Sequence, residues 1–197
     1  MLARQQELCR QMEANPDRWF RRDVSALWHE ATTALCTVLT GVREQDVVFV
    51  KNATAGVNAV VNTLKLNADD ACLITSQTYG ACANAVASVC NKAGAEVITL
   101  QVSREALADE DVLAAALDAT LAQHGGKIKF VLLDHITSPT AVILPVQRLC
   151  RICKDNGVPV MVDGAHAPGN VQLNIPSIGC DWYAGNCHKW CVKVCSS

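Results

Sequence analysis

Five short polar segments carry the residues that could do chemistry, and most of them follow an apolar run of the chain. The first, Asn52-Ala53-Thr54, leads into an amphipathic stretch, and the last places Lys189 directly after His188. A helix start presents unpaired N–H groups that suit a phosphate. Partial burial lowers the pKa of a lysine and makes its amine nucleophilic, so we expect a partly buried Lys189. A simple helix cap and a solvated surface lysine are the alternatives.

The other three segments supply an aromatic ring and acids. Tyr79 could stack on a planar ligand, although an interface tyrosine fits the sequence equally well. Asp163 ends an apolar run, where a buried acid is costly unless a cation or a protonated ring nitrogen pairs with it. His166 follows three residues later, which favours a shared site over a helix cap. Capping and turn formation do not readily explain Asp134 and His135 together.

One cofactor needs all of these parts. A phosphate cradle, a stacking ring, an acid for a pyridine nitrogen and a lysine that forms a Schiff base together indicate pyridoxal 5′-phosphate (PLP). The alternative, an α/β nucleotide-binding module, loses support because the chain contains neither G-x-G-x-x-G nor a Walker A sequence.

Apolar runs predict the strands that position these segments. Most are rich in Val, Ile and Leu without polar alternation, which is typical of strands buried on both faces. They are Val47–Val50, Cys72–Thr75, Glu96–Leu100, Ile128–Leu133, Val158–Val162 and Asp181–Ala184. Helices are predicted over 3–14, 24–40, 55–66, 81–93, 110–122 and 145–156. Alternating strands and helices predict an α/β fold with a mostly parallel sheet and flanking helices. In such sheets ligands bind at the carboxyl ends of the strands.

Composition excludes several classes of protein. The 197 residues have a net charge of −2, are 50% hydrophobic and 18% charged, which excludes a disordered segment. The near-neutral charge argues against nucleic-acid binding, and no apolar run approaches the ~20 residues that span a bilayer. The polar N-terminus is not a secretory signal, so we expect a cytoplasmic protein.

The 11 cysteines do not predict a disulfide framework or a metal site. Their number is odd, and a reduced protein that uses Cys as a small apolar residue fits better. Cys150 and Cys153 are spaced as C-x-x-C inside an amphipathic helix, without a second pair at zinc-ribbon spacing. We therefore expect them to pack in the core and predict no metal.

Four of the segments together resemble class V aminotransferase-fold proteins. They are Asn52-Ala53-Thr54, 134–140, Asp163-Gly164-Ala165-His166 and 185–190. The resemblance runs from about Gln5 to Trp190 and is greatest to the isopenicillin N epimerase-like branch, which is related to cysteine desulfurases. It implies the large domain of a PLP-dependent transferase of the aspartate aminotransferase type. The implied activity acts at Cα of an amino acid or peptide amino acid as an epimerase, aminotransferase or lyase, and a cysteine desulfurase-like lyase is an alternative.

The resemblance also implies a role for each residue. Lys189 would form the Schiff base, Asp163 would pair with the pyridinium nitrogen, and His166 would lie near the ring oxygen or Asp163. Tyr79 would stack on the ring. The groups that would hold the phosphate are Ala53, Thr54 and His188. Ser138 and His135 would line the substrate side, and Asn186 stands where desulfurases usually have serine.

By comparison with that family, we predict that the chain has three parts. Residues 1–40 form an N-terminal helical segment, 41–190 an incomplete PLP-binding domain, and 191–197 an aberrant tail. A last strand and a C-terminal small domain would be missing, so we expect a truncated gene model, a splice product or a fragment. The alternative to an active enzyme is a catalytically inactive fragment or splice product that retains part of the PLP site. The lost strand would leave the one at Val47–Val50 without a neighbour. Family members act on small amino-acid substrates and form homodimers.

Overall fold

A single parallel sheet forms the centre of the molecule. The computed structural model describes residues 2–190, and the predicted tail at 191–197 lies outside them. The sheet has five strands in the order β2-β1-β3-β4-β5, and every neighbouring pair is parallel. The strands are β1 (Ala71–Thr75), β2 (Glu96–Leu100), β3 (Ile128–Asp134), β4 (Val160–Asp163) and β5 (Trp182–Ala184). The α/β class with a parallel sheet is confirmed.

Helices precede the sheet and connect its strands. Those before the sheet are α1 (Leu2–Ala14), α2 (Pro16–Arg18), a π-helical turn at Trp19–Asp23, α3 (Val24–Val38), a 3-10 turn at Glu44–Asp46, and α4 (Ala53–Val61). The remaining helices are α5 (Gly80–Ala93), α6 (Arg104–Ala108), α7 (Glu110–Gln123), α8 (Val146–Asp155), α9 (Ile175–Ile178) and α10 (Cys187–Trp190).

Two apolar clusters, one against each face of the sheet, bury the central strands. Along β3 successive side chains alternate between them, as the two-residue period of a strand requires. Phe130 and Leu132 pack with α4 and α5, whereas Val131 and Leu133 pack with α7 and α8. Burial on both faces explains why these runs lack polar alternation.

The direction of the chain across the sheet reverses between β1 and β3. From β1 the chain crosses to β2 at one edge, and it then returns to the other side of β1 to build β3, β4 and β5 in sequence. The loops after β1 and β3 therefore leave the sheet in opposite directions and open a crevice at the carboxyl ends of these strands. Such a switch point is the usual ligand-binding position in open α/β sheets.

The predicted strand at Val47–Val50 is wrong. This segment belongs to none of the five strands, and Val48 is 80% exposed. A strand exists only by pairing with a neighbour, and within residues 2–190 no strand lies beside this segment. Local β-propensity alone does not create one.

Helix α4 differs from its prediction at both ends. It begins at Ala53 and ends at Val61, rather than running from 55 to 66. The Asn62 side chain donates to the Asn58 carbonyl and the Thr63 hydroxyl to the Val60 carbonyl. Side chains that bond locally to the backbone compete with helix continuation, which accounts for the early end.

Cysteines serve the core as small apolar residues. Cys150 and Cys153 on α8 are fully buried among aliphatic side chains, as predicted. Burial raises the pKa of Cys153 to about 12, which keeps it a neutral thiol. Within residues 2–190, no group of three or more His, Cys, Asp and Glu side chains is placed to hold a metal ion. No helix in the same range is long and apolar enough to cross a membrane.

The buried phenylalanine of β3 provides a test of the core. Phe130 is 0% exposed and Phe20 is 64% exposed, so one chemical change can be made at two sites. We expect Phe130→Ala to lower the free energy of unfolding by about 3–5 kcal/mol, because it removes transfer energy and leaves a cavity. Phe20→Ala should change it by roughly 0.5 kcal/mol or less. Urea unfolding followed by circular dichroism measures both, and equal losses would contradict the assigned core.

Candidate active site

A cavity of about 250 Å³ opens where the carboxyl ends of the strands meet the start of α4. Each predicted PLP-site residue lines it, although the five segments that contribute them are distant in sequence. The lining residues are Asn52, Ala53, Thr54, Tyr79, Asp134, Ile136, Ser138, Asp163, Ala165, His166, Asn186, His188 and Lys189. The topology therefore brings the predicted residues to one place.

Lys189 and His166 form the basic side of the cavity. Lys189 Nζ lies 2.8 Å from His166 Nε2, so one of these groups donates a hydrogen bond to the other. His166 is held here by the turn that follows β4, and Lys189 by the short helix α10. The expectation that Lys189 is partly buried is wrong, since its side chain is exposed. The cavity is open on this side, and no described residue covers the amine.

Asp163 forms the floor at the end of β4. It is 5% exposed, and its carboxylate accepts two hydrogen bonds. The Ala165 N–H donates to Oδ1 at 3.0 Å, and the Cys82 thiol donates to Oδ2 at 3.3 Å. No helix begins after Asp163, so the alternative of a helix cap is wrong. Neither bond neutralises its charge, which leaves the carboxylate suited to a protonated ring nitrogen.

Cys82 on α5 is a site residue that sequence reasoning missed. It is 1% exposed, and its thiol also lies 3.9 Å from the Thr54 hydroxyl. Burial, followed by the charge of Asp163, raises the pKa of Cys82 to about 12. It therefore remains a thiol that donates a hydrogen bond. Its place in an amphipathic helix indicated only core packing, and no local signal identified it.

Asp134 is a second buried carboxyl on the same floor. It pairs in register with Asp163 on the neighbouring strand and is 3% exposed. Its Oδ2 atom finds no hydrogen-bond partner among the described residues. Burial, followed by the charge of Asp163, raises the pKa of Asp134 to about 7. Two carboxyls thus lie side by side at the closed end of the cavity.

The start of α4 provides a further polar wall. Asn52 caps the helix by accepting the Ala55 N–H at 2.8 Å, so the capping alternative holds for this residue. The Ala53 N–H is bound by Asn186 Oδ1 at 2.8 Å, a contact across the cavity that the sequence did not reveal. Among the described residues the Thr54 N–H has no such acceptor, and it lies at the positive end of the helix dipole.

The rim is more exposed than the floor. Tyr79 is 48% exposed, and Ser138 and His188 are also exposed. Tyr79 directly precedes α5, and Ser138 lies in the turn that follows β3. A molecule in the cavity would therefore meet buried carboxyls on one side and accessible polar and aromatic groups on the other.

His135 does not line this cavity, and its expected place on the substrate side is wrong. It follows Asp134 on the strand and so points to the opposite face. There its Nδ1 lies 2.8 Å from the Tyr183 hydroxyl, and burial lowers the pKa of His135. Tyr183 in turn packs against Gly164, where any Cβ atom would overlap its phenol group. Position 164 in the Asp163-Gly164-Ala165 turn therefore requires a glycine, because the Tyr183 ring lies too close to leave room for a side chain.

The described residues fit the cofactor that the sequence indicates. PLP needs an amine, an acid under its ring nitrogen and donors for its phosphate. Lys189, Asp163 and the start of α4 provide these groups around one cavity. The buried Asp163 carboxylate, which no cation among the described residues compensates, favours a ligand that carries positive charge on that side.

Sequence relatives come from one group of enzymes. The chain is 31% identical over 179 residues to an isopenicillin N epimerase of Streptomyces clavuligerus, which covers 91% of this chain and 44% of that protein. It is 29% identical over 188 residues to a putative L-cysteine desulfhydrase of Oryza sativa subsp. japonica. That match covers 90% of this chain and 39% of the desulfhydrase. The chain therefore spans less than half the length of these relatives.

Solved structures share the fold. A cystine C–S lyase in complex with its product, cysteine persulfide, matches with a TM-score of 0.82 at 22% identity, covering 95% of this chain and 49% of the other. A cysteine desulfurase of Escherichia coli matches with a TM-score of 0.72 at 20% identity, covering 85% and 41%. The sheet and helices described above thus correspond to about half of each of these chains.

The family follows from the sequence match and agrees with the site. The family model "Aminotransferase class-V" matches residues 1–192, and so includes every segment that lines the cavity. Both the epimerase-like resemblance and the PLP-type fold are confirmed by these comparisons. This chain belongs to the class V aminotransferase family.

Proposed function

We propose that this chain is the cofactor-binding part of a PLP-dependent enzyme that acts at Cα of an amino acid or peptide amino acid. One observation carries the proposal: Lys189 Nζ, in contact with His166, faces the cavity whose floor is the Asp163 carboxylate. An amine and an acid on either side of one cavity match the two ends that the cofactor presents to a protein. Membership of the class V family supports the same cofactor.

The residues divide the chemistry between them. When bound, PLP supplies an electron sink that stabilises negative charge at Cα of an attached amino acid. Lys189 would hold the cofactor through its amine, and the same amine could take a proton from Cα of a bound amino acid or return one. His166, at 2.8 Å, can accept or share a proton of that amine. Asp163 would favour the protonated form of the ring nitrogen, because its carboxylate would place a negative charge on that side.

The phosphate would bind at the start of α4. Thr54, in the first turn of this helix, lines the cavity at the positive end of the helix dipole, and the exposed His188 lines the same cavity. Asn186 holds the Ala53 N–H and so fixes where the helix begins. Ala53 then acts through its backbone position, since its own N–H already has an acceptor.

The relatives favour two reactions over the others at this site. Relatives named as an isopenicillin N epimerase and as L-cysteine desulfhydrases match most of the chain. Inversion at Cα and cleavage of a C–S bond both begin with loss of the Cα proton, for which Lys189 is placed. We further infer a cytoplasmic homodimer, in keeping with the family.

Covalent trapping tests cofactor binding. We expect the protein mixed with PLP and reduced with borohydride to carry a stable adduct on Lys189, because that amine faces the cavity. Lys189→Ala should lose the adduct, whereas Lys129→Ala, an exposed lysine at the start of β3, should keep it. Peptide mass spectrometry locates the adduct. Labelling spread over several lysines, with Lys189→Ala unaffected, would refute the proposal.

Asn186 provides a test of the phosphate side. Asn186→Ala removes the acceptor of the buried Ala53 N–H, and a lost hydrogen bond of this kind costs about 1 kcal/mol. We expect PLP to bind about fivefold more weakly in a fluorescence titration. Asn91→Ala, an exposed position on α5, is the matched control and should bind as the wild type does. If Asn186→Ala bound PLP with unchanged affinity, the hydrogen bond between Asn186 and Ala53 would not contribute to cofactor binding.

The type of reaction can be measured by following the Cα proton. In deuterated water, we expect an amino-acid substrate to exchange its Cα proton in the presence of PLP and the protein. Epimerisation yields the opposite configuration, whereas C–S cleavage of L-cysteine releases sulfide. Lys189→Ala should suppress exchange by about 100-fold or more, as expected for loss of a general base. If exchange persisted in this variant, a group other than Lys189 would transfer the Cα proton.

A further inference from the structure

We propose that Asp134 and Asp163 form a carboxyl–carboxylate pair that holds one proton beneath the cavity, with Asp134 as the protonated member. In this arrangement Asp134 is a positioning residue, which leaves Asp163 as the single negative charge on the floor. The pair itself is a property of the protein alone. Only its meaning for the cofactor rests on the proposed function.

Geometry places the two carboxyls together. Asp134 is the last residue of β3 and Asp163 the last residue of β4, and the two are register partners. Neighbouring strands lie about 4.8 Å apart, and register partners in a parallel pair point to the same face. Both side chains line the same cavity, and both are at most 5% exposed. The two acids therefore share one nearly dry compartment.

No cation compensates both charges. Among the described residues neither carboxyl forms a salt bridge, and Lys189 Nζ is engaged with His166. The Asp163 oxygens accept the Ala165 N–H and the Cys82 thiol. Two adjacent buried carboxylates without a cation cannot both remain ionised at low cost.

The remaining groups around Asp134 assign the proton to it. Hydrogen bonds from the Tyr79 backbone and the Thr78 side chain act on its carboxyl, but they are outweighed by burial and by the charge of Asp163. Cys82 on α5 stays neutral, and His135 points to the other face of the sheet. Across the cavity lie His166, His188 and Lys189. The Asp134 Oδ2 atom has no hydrogen-bond donor among the described residues, so nothing there stabilises a negative charge on that oxygen.

A neutral Asp134 has two consequences for the site. First, the Thr78–Tyr79 turn can remain hydrogen-bonded to the Asp134 carboxyl without a second negative charge on the floor of the cavity. Second, a neutral Asp134 limits the floor to one negative charge, which matches the single positive charge of a protonated ring nitrogen. Above its pKa of about 7, ionised Asp134 would add a second charge and increase the repulsion within the pair.

Infrared spectroscopy of the protein without cofactor tests the pair. We expect a carbonyl band of a protonated carboxylic acid that disappears with a midpoint near pH 7. Asp134→Asn should lack the band. Asp163→Asn should retain it but lower its midpoint by about 1 pH unit or more, because the neighbouring charge is gone. Asp69→Asn, an exposed acid, is the control and should leave it unchanged. A band that survives in Asp134→Asn would overturn the assignment.

Stability against pH provides a second measurement. The folded pKa of Asp134 lies above the ordinary value of 3.8, so its contribution to stability is fully present below about pH 4 and is lost as the pH rises towards 7. The urea midpoint of the wild type should therefore fall across this window relative to that of Asp134→Asn. Parallel curves for the two proteins would contradict the pair.

The two proposals fail in different ways. If the protein shows the band but no PLP adduct forms on Lys189, the pair stands and the proposed function fails. If the adduct forms but no acid band titrates near pH 7, the proposed function stands and the pair fails. Where both hold, the ratio of PLP affinities of the wild type and Asp134→Asn should change with pH around the band midpoint.

Discussion

The parallel alignment of β3 and β4 is the constraint on which the site depends. Their register sets Asp134 and Asp163 side by side at the same edge of the sheet. The reversal of chain direction between β1 and β3 opens the crevice above them, and β5 delivers the chain that carries Asn186 and Lys189 to its other side. A shift of one residue in the β3–β4 register would turn one of the acids to the opposite face. The geometry of the floor is therefore a property of the sheet rather than of a loop.

Burial of the floor then determines its electrostatics. The acids lie where water is scarce, and the basic groups Lys189 and His188 are on the exposed rim. This separation concentrates negative charge at the closed end of the cavity and leaves the basic groups at the open end. A zwitterionic ring with a cationic nitrogen and an anionic phosphate fits that field in one orientation. The phosphate end would face the start of α4, where the helix dipole favours it.

Much of the site could be predicted because its residues follow apolar runs. Asp163 ends β4, and Tyr79 and Lys189 lie in the segments that follow β1 and β5, so their order in the sequence was enough to expect them in one place. The contacts of Asn186 with Ala53 and of Cys82 with Asp163 could not be predicted, because they join elements 133 and 81 residues apart. Which face of the sheet the Asp134 and His135 side chains point to depends on where β3 ends and on its register with β4, and neither could be read from the sequence. Val47–Val50 has the composition of a strand, but a strand requires a partner, which is a non-local condition.

The division between floor and rim also explains how one fold serves relatives with different names. Asp163, Asp134 and the start of α4 are buried or held by hydrogen bonds. Under the proposed function they would act on the parts of the cofactor common to every reaction. Tyr79, Ser138 and His188 are exposed, and of these Ser138 is the one that the family resemblance puts on the substrate side. Exposed positions tolerate substitution at little cost in stability, whereas a change on the floor disturbs a packed sheet and an unsatisfied carboxyl. Differences between an epimerase and a desulfhydrase are thus expected at the rim and in the parts of the relatives that this chain does not span.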